Sequence, residues 1–328
     1  MNRSRHLLLL ELSTSPSLRL VGVLTDFDGW PRVPLAIAIG VFDGVHIGHQ
    51  ALIRQTAARA QQQGGRALAA TFDPLPIQAL APGAPPSALS DVEERARLLH
   101  AAGADDVVVF HFTKRFAALT ADEFIRSLAA SGAVRHVFVG EDFQFGHERG
   151  GNVRTLAAAG PKHDFEVVVT PPVKLDGEIV SSTRIRNALL AGSVEIAAQL
   201  LGRPYAVKGT VVHGDKRGRA LGFPTMNLAV PRERLLPRDG IYAMWATVNG
   251  ERVRAAASLG VRPTFGPGGD RVLEAFLLDW AGDAYGDEIE AAFVKRLRDE
   301  LRFASAAELS EQIARDVEAT REALRDRS

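Results

Sequence analysis

The sequence predicts two domains: an α/β domain with a doubly wound parallel sheet, then a smaller, mainly antiparallel β domain that ends in a helix. Three observations lead to this prediction. The length of 328 residues suits about two domains. Over residues 35–192, short apolar runs alternate with helical periods, as in parallel α/β sheets. After residue 204, apolar runs follow one another with turn signals between them, which is typical of antiparallel strands.

The first domain is predicted over residues 35–192, after an N-terminal extension, residues 1–34, that carries no motif. Helices are expected between its strands, and two of them begin with capping boxes, Ser90 with Glu93 and Thr120 with Glu123. The apolar runs that predict its strands are Leu35–Val41, Ala67–Phe72, Val107–Phe112, His136–Gly140 and Phe165–Thr170.

A linker, residues 193–203, is predicted before the second domain, residues 204–328. Asn249-Gly250 predicts a tight hairpin, and Ser305 with Glu308 predicts the start of a last helix over residues 306–324. These signals favour a small barrel or sandwich. The predicted strands are Ala206–His213, Ile241–Val248, Arg252–Leu259 and Val272–Trp280.

Composition argues against several classes of protein. Hydrophobic residues make up 46% and charged residues 24%, which is ordinary for a globular chain. Basic and acidic residues both number 39, so the net charge is zero and nucleic acid is not an expected partner. The lack of Cys excludes disulfides and a thiol nucleophile. No apolar run is long enough for a membrane helix, so we expect a cytoplasmic protein without a membrane partner.

The first predicted strand leads into Gly40–Gln50, which holds two histidines three positions apart, His46 and His49. Gly44 and Gly48 allow a ligand to approach the backbone closely, and the start of the following helix directs free N–H groups into the same space. This set suits the triphosphate of a nucleotide. Alone, the pair fits a metal site or a surface position as well, although zinc would need further ligands.

Two later segments carry weaker signals. Gly140–Gly146 directly follows a strand, where ligands bind α/β sheets, but it also fits a glycine turn with two core phenylalanines. Ser181–Arg186 places two arginines in the first turn of a helix, against the helix dipole. That conflict predicts a bound anion, and the alternative is a simple Ser cap with solvated arginines.

In the second domain, Gly209–Gly222 contains four glycines and three basic residues, a composition that suits phosphates or a basic surface loop. Thr225 and Asn227 lie two apart, so in a strand they share a face, and their oxygens suit magnesium. Glu274 lies within an apolar strand. It either faces water by alternation or accepts a proton from a substrate hydroxyl.

Taken in order, these motifs resemble known families. The first domain resembles bacterial FAD synthetases, which are nucleotidyltransferases, and the second resembles riboflavin kinases. The first resemblance rests on Gly40–Gln50, Thr71–Pro74, Gly140–Gly146 and Ser181–Arg186. The second rests on Gly214–Asn227, Pro237–Tyr242, Arg262–Phe265, Glu274–Trp280 and the last helix.

The resemblance implies a bifunctional enzyme that phosphorylates riboflavin to FMN with ATP and adenylylates FMN to FAD, releasing pyrophosphate. It implies Mg²⁺, held by Thr225 and Asn227. The implied catalytic residues are Glu274, His46, His49 and Arg184. The implied nucleotide-binding residues are Gly40, Phe42, Asp43, Gly44, Gly48, Asp142, Ser182, Thr183, Gly209, Gly214, Lys216, Arg217 and Gly222.

One position departs from the family pattern, because Pro74-Leu75-Pro76 stands where the family usually has Pro-His-Pro. This departure keeps open a riboflavin kinase with a degenerate nucleotidyltransferase domain. A second alternative is a flavin- or nucleotide-binding regulator without turnover. Such a regulator is expected to have lost Glu274 or the histidine pair, and this chain retains them.

Overall fold

The computed structural model describes residues 23–81, 88–213, 222–261 and 271–325. Contacts between Cα atoms divide the chain into two compact units. The first unit runs to Pro85 and from Ser90 to Val180, and the second comprises Pro86–Leu89 and Ser181 onwards. The predicted domain boundaries at residues 192 and 204 refer to parts of the chain that fold independently. Contacts alone do not test this, so the boundaries stay a prediction.

The first unit is built on a parallel sheet with the strand order β1-β4-β3-β2-β5-β8. Its strands are β1 (Val23–Thr25), β2 (Leu35–Ile39), β3 (Arg66–Asp73), β4 (Asp106–His111), β5 (Val134–Gly140) and β8 (Glu166–Thr170). Short two-stranded pairs join β6 (Gln144–Phe145) to β7 (Gly151–Asn152) and β9 (Lys174–Leu175) to β10 (Glu178–Ile179). The helices are α1 (Ile47–Gln62), α2 (Pro76–Leu80), α3 (Val92–Ala101), α4 (Lys114–Ala117), α5 (Ala121–Ala130) and α6 (Val153–Ala159).

Both faces of this sheet are covered, as expected for a doubly wound fold. In the central strand β2, Leu35, Ile37 and Ile39 pack into one apolar cluster. The residues between them, Ala36 and Ala38, pack into another. All five are buried, which explains why the strand reads as a continuous apolar run. The predicted parallel α/β class is therefore confirmed.

Two details of the first unit differ from the prediction. Strand β1 lies within residues 1–34, the extension in which no motif was recognised and no element was assigned, and it pairs with β4. It was missed because only three residues form it. The capping box of Thr120 and Glu123 is confirmed, with Glu123 N donating to Thr120 Oγ1 at 3.2 Å. The box predicted at Ser90 is wrong, because Asp91 caps α3 by accepting from Glu94 N at 2.7 Å.

The second unit contains a closed antiparallel barrel in the order β11-β12-β15-β14-β13-β16, which confirms the predicted barrel. Its strands are β11 (Tyr205–Val212), β12 (Thr225–Ala229), β13 (Gly240–Val248), β14 (Glu251–Val261), β15 (Arg271–Leu277) and β16 (Glu288–Arg298). The Asn249-Gly250 turn joins β13 to β14, as predicted. Strands β12 and β16 were not predicted, because neither shows a long apolar run.

Among the described residues, three helices accompany the barrel: α7 (Ser182–Leu190), α8 (Val194–Leu201) and α9 (Ala306–Ala323). Helix α8 lies in the segment predicted as a linker, residues 193–203, and the division into domains at this segment stays a prediction. Its side chains at positions 194, 197, 200 and 201 are buried, a helical spacing that packs α8 against β11 and β16. Helix α9 begins as predicted, with Ser305 accepting from Glu308 N at 3.2 Å. No helix in the described ranges is long and apolar enough to span a membrane.

Candidate active sites

The segment Gly40–His49, called the histidine turn below, connects β2 to α1 in the first unit. Its backbone has positive φ at Phe42 (52°), Gly44 (78°) and Val45 (40°). Two of these are not glycine, so the turn is strained and needs support from its surroundings. A Cβ atom at Gly40 would lie 2.9 Å from the ring of Phe42, so the turn closes on itself there.

The side chain of Asp43 points into the protein and supports this turn. Asp43 is 1% exposed, and its Oδ1 accepts from Ser90 N at 3.0 Å and Ser90 Oγ at 3.2 Å. Ser90 Oγ in turn accepts from Gly44 N at 2.9 Å. At least this oxygen of Asp43 therefore holds the turn, and the role of Asp43 in nucleotide binding stays a prediction.

The two histidines lie at the start of α1 with their rings stacked. The ring centroids are 3.5 Å apart and the planes differ by 16°. His46 caps the helix, and its Nδ1 accepts from His49 N at 3.2 Å. Because Nδ1 is the acceptor, the proton of a neutral His46 lies on Nε2, which is left to donate. A Cβ atom at Gly48 would lie 3.1 Å from the His46 ring, so Gly48 makes room for it.

Both histidines are held in the neutral form. Burial lowers the pKa of His46 to about 4. Burial also lowers the pKa of His49 well below its ordinary value, and repulsion from a protonated His46 and from Arg95 lowers it further. His49 Nδ1 is buried and has no hydrogen-bond partner among the described residues. A buried imidazole with an unused polar atom suits hydrogen bonding to a substrate, because an unpaired polar atom is costly to bury.

Metal binding by these histidines finds no support in the part of the chain that the structure describes. Within the described ranges, no group of three or more His, Cys, Asp or Glu side chains could hold a metal ion. The arrangement that is present consists of two neutral donors beside a helix N-terminus, which suits phosphate oxygens.

The Gly140–Gly146 loop combines the two interpretations given for it. Phe143 and Phe145 stack at 5.4 Å, and Phe145 is buried in the core of the first unit. Asp142 is exposed at the carboxyl end of β5, where ligands contact such sheets. The phenylalanines are therefore core residues, and the nucleotide contact of Asp142 stays a prediction.

The Ser181–Arg186 segment forms the start of α7, which belongs to the second unit by its contacts. Ser181 caps the helix by accepting from Arg184 N at 3.2 Å. Thr183 is exposed, while Ser182 and Arg184 are half-buried. The cap was one of the two alternatives and is present. The predicted roles of Ser182, Thr183 and Arg184 in binding phosphate stay predictions.

In the second unit, Ser258, Glu274 and Asn227 lie side by side across three neighbouring strands, and this set is called the Glu274 row below. Glu274 on β15 is the register partner of Asn227 on β12 and of Ser258 on β14. Register partners point to the same face of a sheet, with Cβ atoms about 5 Å apart. Asn227 is 5% exposed and Glu274 is half-buried. Thr225 lies two residues before Asn227 on the same face, as predicted.

The remaining predicted residues of the second unit divide into two groups. Gly214, Lys216, Arg217 and the Arg262–Phe265 turn lie outside the described residues. Gly209 lies within β11, where a Cβ atom would come 3.1 Å from Leu228 Cβ, so strand packing already explains this glycine. Gly222 has a φ of 83°, which favours glycine. Their contacts with nucleotide stay predictions.

The first unit is thus a nucleotidyltransferase-type α/β unit with a pair of neutral histidines, and the second is a kinase-type barrel with a carboxylate beside an amide. Residues 32–184 match the FAD synthetase family model, and residues 201–324 match the riboflavin kinase family model. The chain belongs to the family of bifunctional riboflavin kinase/FMN adenylyltransferases.

Two relatives with that name carry this assignment. The chain is 39% identical over 284 residues to the one from Pseudomonas fluorescens, covering 86% of this chain and 91% of the relative. It is 38% identical over 307 residues to the one from Escherichia coli strain K12, covering 93% and 97%. A crystal structure from Streptococcus pneumoniae, described as a macrolide-efflux protein, is similar with a TM-score of 0.83 and 33% identity. That alignment covers 91% of this chain and 98% of the other.

Proposed function

We propose that the second unit makes FMN from riboflavin and ATP, and that the first unit transfers AMP from a second ATP to FMN, yielding FAD and pyrophosphate. One observation carries this proposal: both family matches lie in order on one chain, and each includes side chains whose chemistry suits its reaction. His46 and His49 lie in the first match, and Thr225, Asn227 and Glu274 lie in the second.

In the kinase reaction, the carboxylate of Glu274 takes the proton of the terminal ribityl hydroxyl while that oxygen attacks the γ-phosphorus of ATP. The bond from that phosphorus to the β–γ bridging oxygen breaks, and ADP leaves. Asn227 is the cross-strand partner of Glu274, so a phosphate group held at Asn227 lies beside the base. Thr225 and Asn227 offer the hard oxygen ligands that suit Mg²⁺, which neutralises phosphate charge when bound.

In the adenylyl transfer, a phosphate oxygen of FMN attacks the α-phosphorus of ATP and pyrophosphate leaves. The nucleophile is already an anion, so this step needs no strong base. The first unit contributes two hydrogen-bond donors to the phosphate oxygens, Nε2 of His46 and the His49 ring. Neutral imidazoles can donate here without placing two buried positive charges side by side.

The test is to incubate the unmodified protein with riboflavin and Mg-ATP, and separately with FMN and Mg-ATP, and then to separate the flavins. FMN and FAD are expected from the first incubation and FAD from the second. FMN without FAD would favour the kinase with a degenerate first domain. Bound but unchanged riboflavin would favour the regulator. Omitting Mg²⁺ from both incubations tests the proposed metal requirement.

A further inference from the structure

We propose that Ser90 and Arg95 are positioning residues for adenylyl transfer, because they hold the histidine turn in its strained conformation from outside it. This inference rests on the proposed function of the first unit. Neither residue lies in a segment that was predicted to contact substrate. Both are buried: Ser90 is 0% exposed and Arg95 is 1% exposed.

Two polar groups of Ser90, its backbone N–H and its hydroxyl, are hydrogen-bonded to the histidine turn. Its N–H and Oγ–H both donate to Asp43 Oδ1, and its Oγ accepts from Gly44 N. The turn has positive φ at Gly44 and Val45, immediately before His46. Because the Ser90 hydroxyl is hydrogen-bonded to Asp43 and Gly44, it holds the strained backbone that precedes His46. It thereby fixes the position of the His46 side chain.

Asp91 frees Ser90 for this role. The sequence suggested that Ser90 caps α3, but Asp91 caps that helix instead. The Ser90 side chain is therefore not needed to cap the helix. Its hydroxyl is instead hydrogen-bonded to Asp43 and Gly44 in the histidine turn.

Arg95 on α3 holds Ser90 and the end of β3 together. One guanidinium nitrogen donates to Phe72 O at 2.6 Å and Thr71 Oγ1 at 3.2 Å. The second terminal nitrogen, Nη2, donates to Ser90 O at 3.3 Å. Thr71 Oγ1 donates onward to Val41 O at 2.8 Å, which lies in the histidine turn. Arg95 therefore connects to the turn by two routes, one through Ser90 and one through Thr71.

Arg95 also acts on His49 through its charge. After burial and the charge of His46, the guanidinium of Arg95 is a further cause that lowers the pKa of His49. Arg95→Lys keeps the charge but loses the planar fork, whereas Arg95→Met loses both, so the two variants separate the effects.

The experiment measures FAD formation from FMN in Ser90→Ala, Arg95→Lys and Arg95→Met, with riboflavin phosphorylation on the same chain as an internal control. Arg97→Met, an exposed position on the same helix, is the matched control. Misplaced catalytic groups typically cost about 10²-fold. We therefore expect kcat for adenylylation to fall about 10²-fold in Ser90→Ala and Arg95→Met, with a smaller change in KM for ATP and unchanged kinase turnover. Arg95→Lys should recover part of the loss.

A second readout does not depend on activity. NMR titration of the histidine rings should show a higher pKa for His49 in Arg95→Met than in the unmodified protein, and no such rise in Arg95→Lys. His46 and Arg95 are the charged or titratable groups that act on His49 in the described structure. Folded Ser90→Ala and Arg95→Met variants with normal adenylylation and an unchanged His49 pKa would overturn the proposal. Absence of FAD formation by the unmodified protein would instead count against the proposed function, and the titration would still decide the role of Arg95.

Discussion

The histidine turn of the first unit and the Glu274 row of the second are assembled from the sequence in opposite ways. The histidines lie three residues apart on one turn, and buried side chains such as Ser90 hold that turn by hydrogen bonds. The Glu274 row gathers one residue from each of three strands, which lie far apart in the sequence. The first site depends on local backbone geometry and burial, while the second depends on strand register.

This difference sets how each site should fail. A change in the histidine turn alters backbone strain, burial and protonation together, so its effects spread to stability. Replacing one member of the Glu274 row leaves strand pairing intact, because the ladder is formed by the backbone. Isosteric changes in the Glu274 row are therefore expected to reduce riboflavin phosphorylation without unfolding the barrel.

The largest effect is expected for Glu274→Gln. The amide keeps the shape of the side chain but cannot take the proton, and loss of a general base typically costs about 10²–10⁴-fold. Riboflavin phosphorylation should fall by that factor, while FAD formation from supplied FMN stays normal. Rates of both reactions, measured on the same preparation, check this.

A matched control for that change is Glu288→Gln. Glu288 is an exposed carboxylate on barrel strand β16, paired with Lys208 at 3.0 Å. Exposed ion pairs contribute little, so both activities should remain normal. Wild-type kinase turnover in Glu274→Gln would reject Glu274 as the base.

The next largest effect is expected for His49→Ala. Loss of one preorganised donor to a transition-state oxygen typically costs about 10²–10³-fold, and FAD formation should fall accordingly. Riboflavin phosphorylation should persist, because Glu274, Thr225 and Asn227 are unchanged. Steady-state rates of the two reactions test this dissociation.

His163→Ala is the control, since His163 lies in the first unit but outside the histidine turn. It should leave both activities normal. Equal loss of both activities in a folded His49→Ala protein would contradict the assignment of separate reactions to the two units.

The fold class could be predicted because both domains carry strong local patterns. The strands of the parallel sheet are buried on both sides and read as apolar runs, as β2 illustrates. Strand β16 was missed because its apolar run, Ala291–Val294, is short and has charged residues on both sides. Helix α8 was missed because the Gly202-Arg203-Pro204 junction beyond its end suggested a linker over the whole segment.

The histidine pair could be recognised from its spacing, but its support could not. Ser90 lies 46 residues from Gly44, and Arg95 lies 23 residues from Phe72. No periodicity connects such positions, and the local pattern assigned Ser90 to the wrong role. Similarly, the pairing of Glu274 with Asn227 depends on register, which hydrophobic patterning around Glu274 alone does not determine.

A third prediction concerns pH and applies to the buried histidines of the first unit rather than to the Glu274 row. Folded His46, with a pKa of about 4, stays neutral where an unfolded histidine, with its usual pKa of 6.5, is protonated. The unfolded state therefore binds more protons, and stability must fall as the pH drops from 6.5 toward 4. The loss is about 1.4 kcal/mol per pH unit for one such histidine, and His49 adds to it in the same direction.

Urea unfolding of the first unit at pH 7, 6 and 5 measures this slope. Burial also lowers the pKa of His136, so the informative quantity is the difference from His46→Asn, because asparagine is a preferred N-cap residue and does not titrate. The variant should lose less stability than the unmodified protein over this range. Equal slopes would show that His46 is already protonated in the folded protein.

The smallest effect is expected for Leu75→His, at the position where this chain departs from the family pattern. Leu75 is 1% exposed, so the change places a polar ring in an apolar site, which costs about 1–3 kcal/mol on mutational scales. Thermal unfolding should show that loss. The rate of FAD formation should change by a smaller factor than in His49→Ala. His46, His49 and the hydrogen bonds that support them are already present in the unmodified chain. FAD appearing only in L75H would instead mean that the natural first unit lacks adenylyl transfer, and the comparison would then be between a working kinase site and a degenerate one.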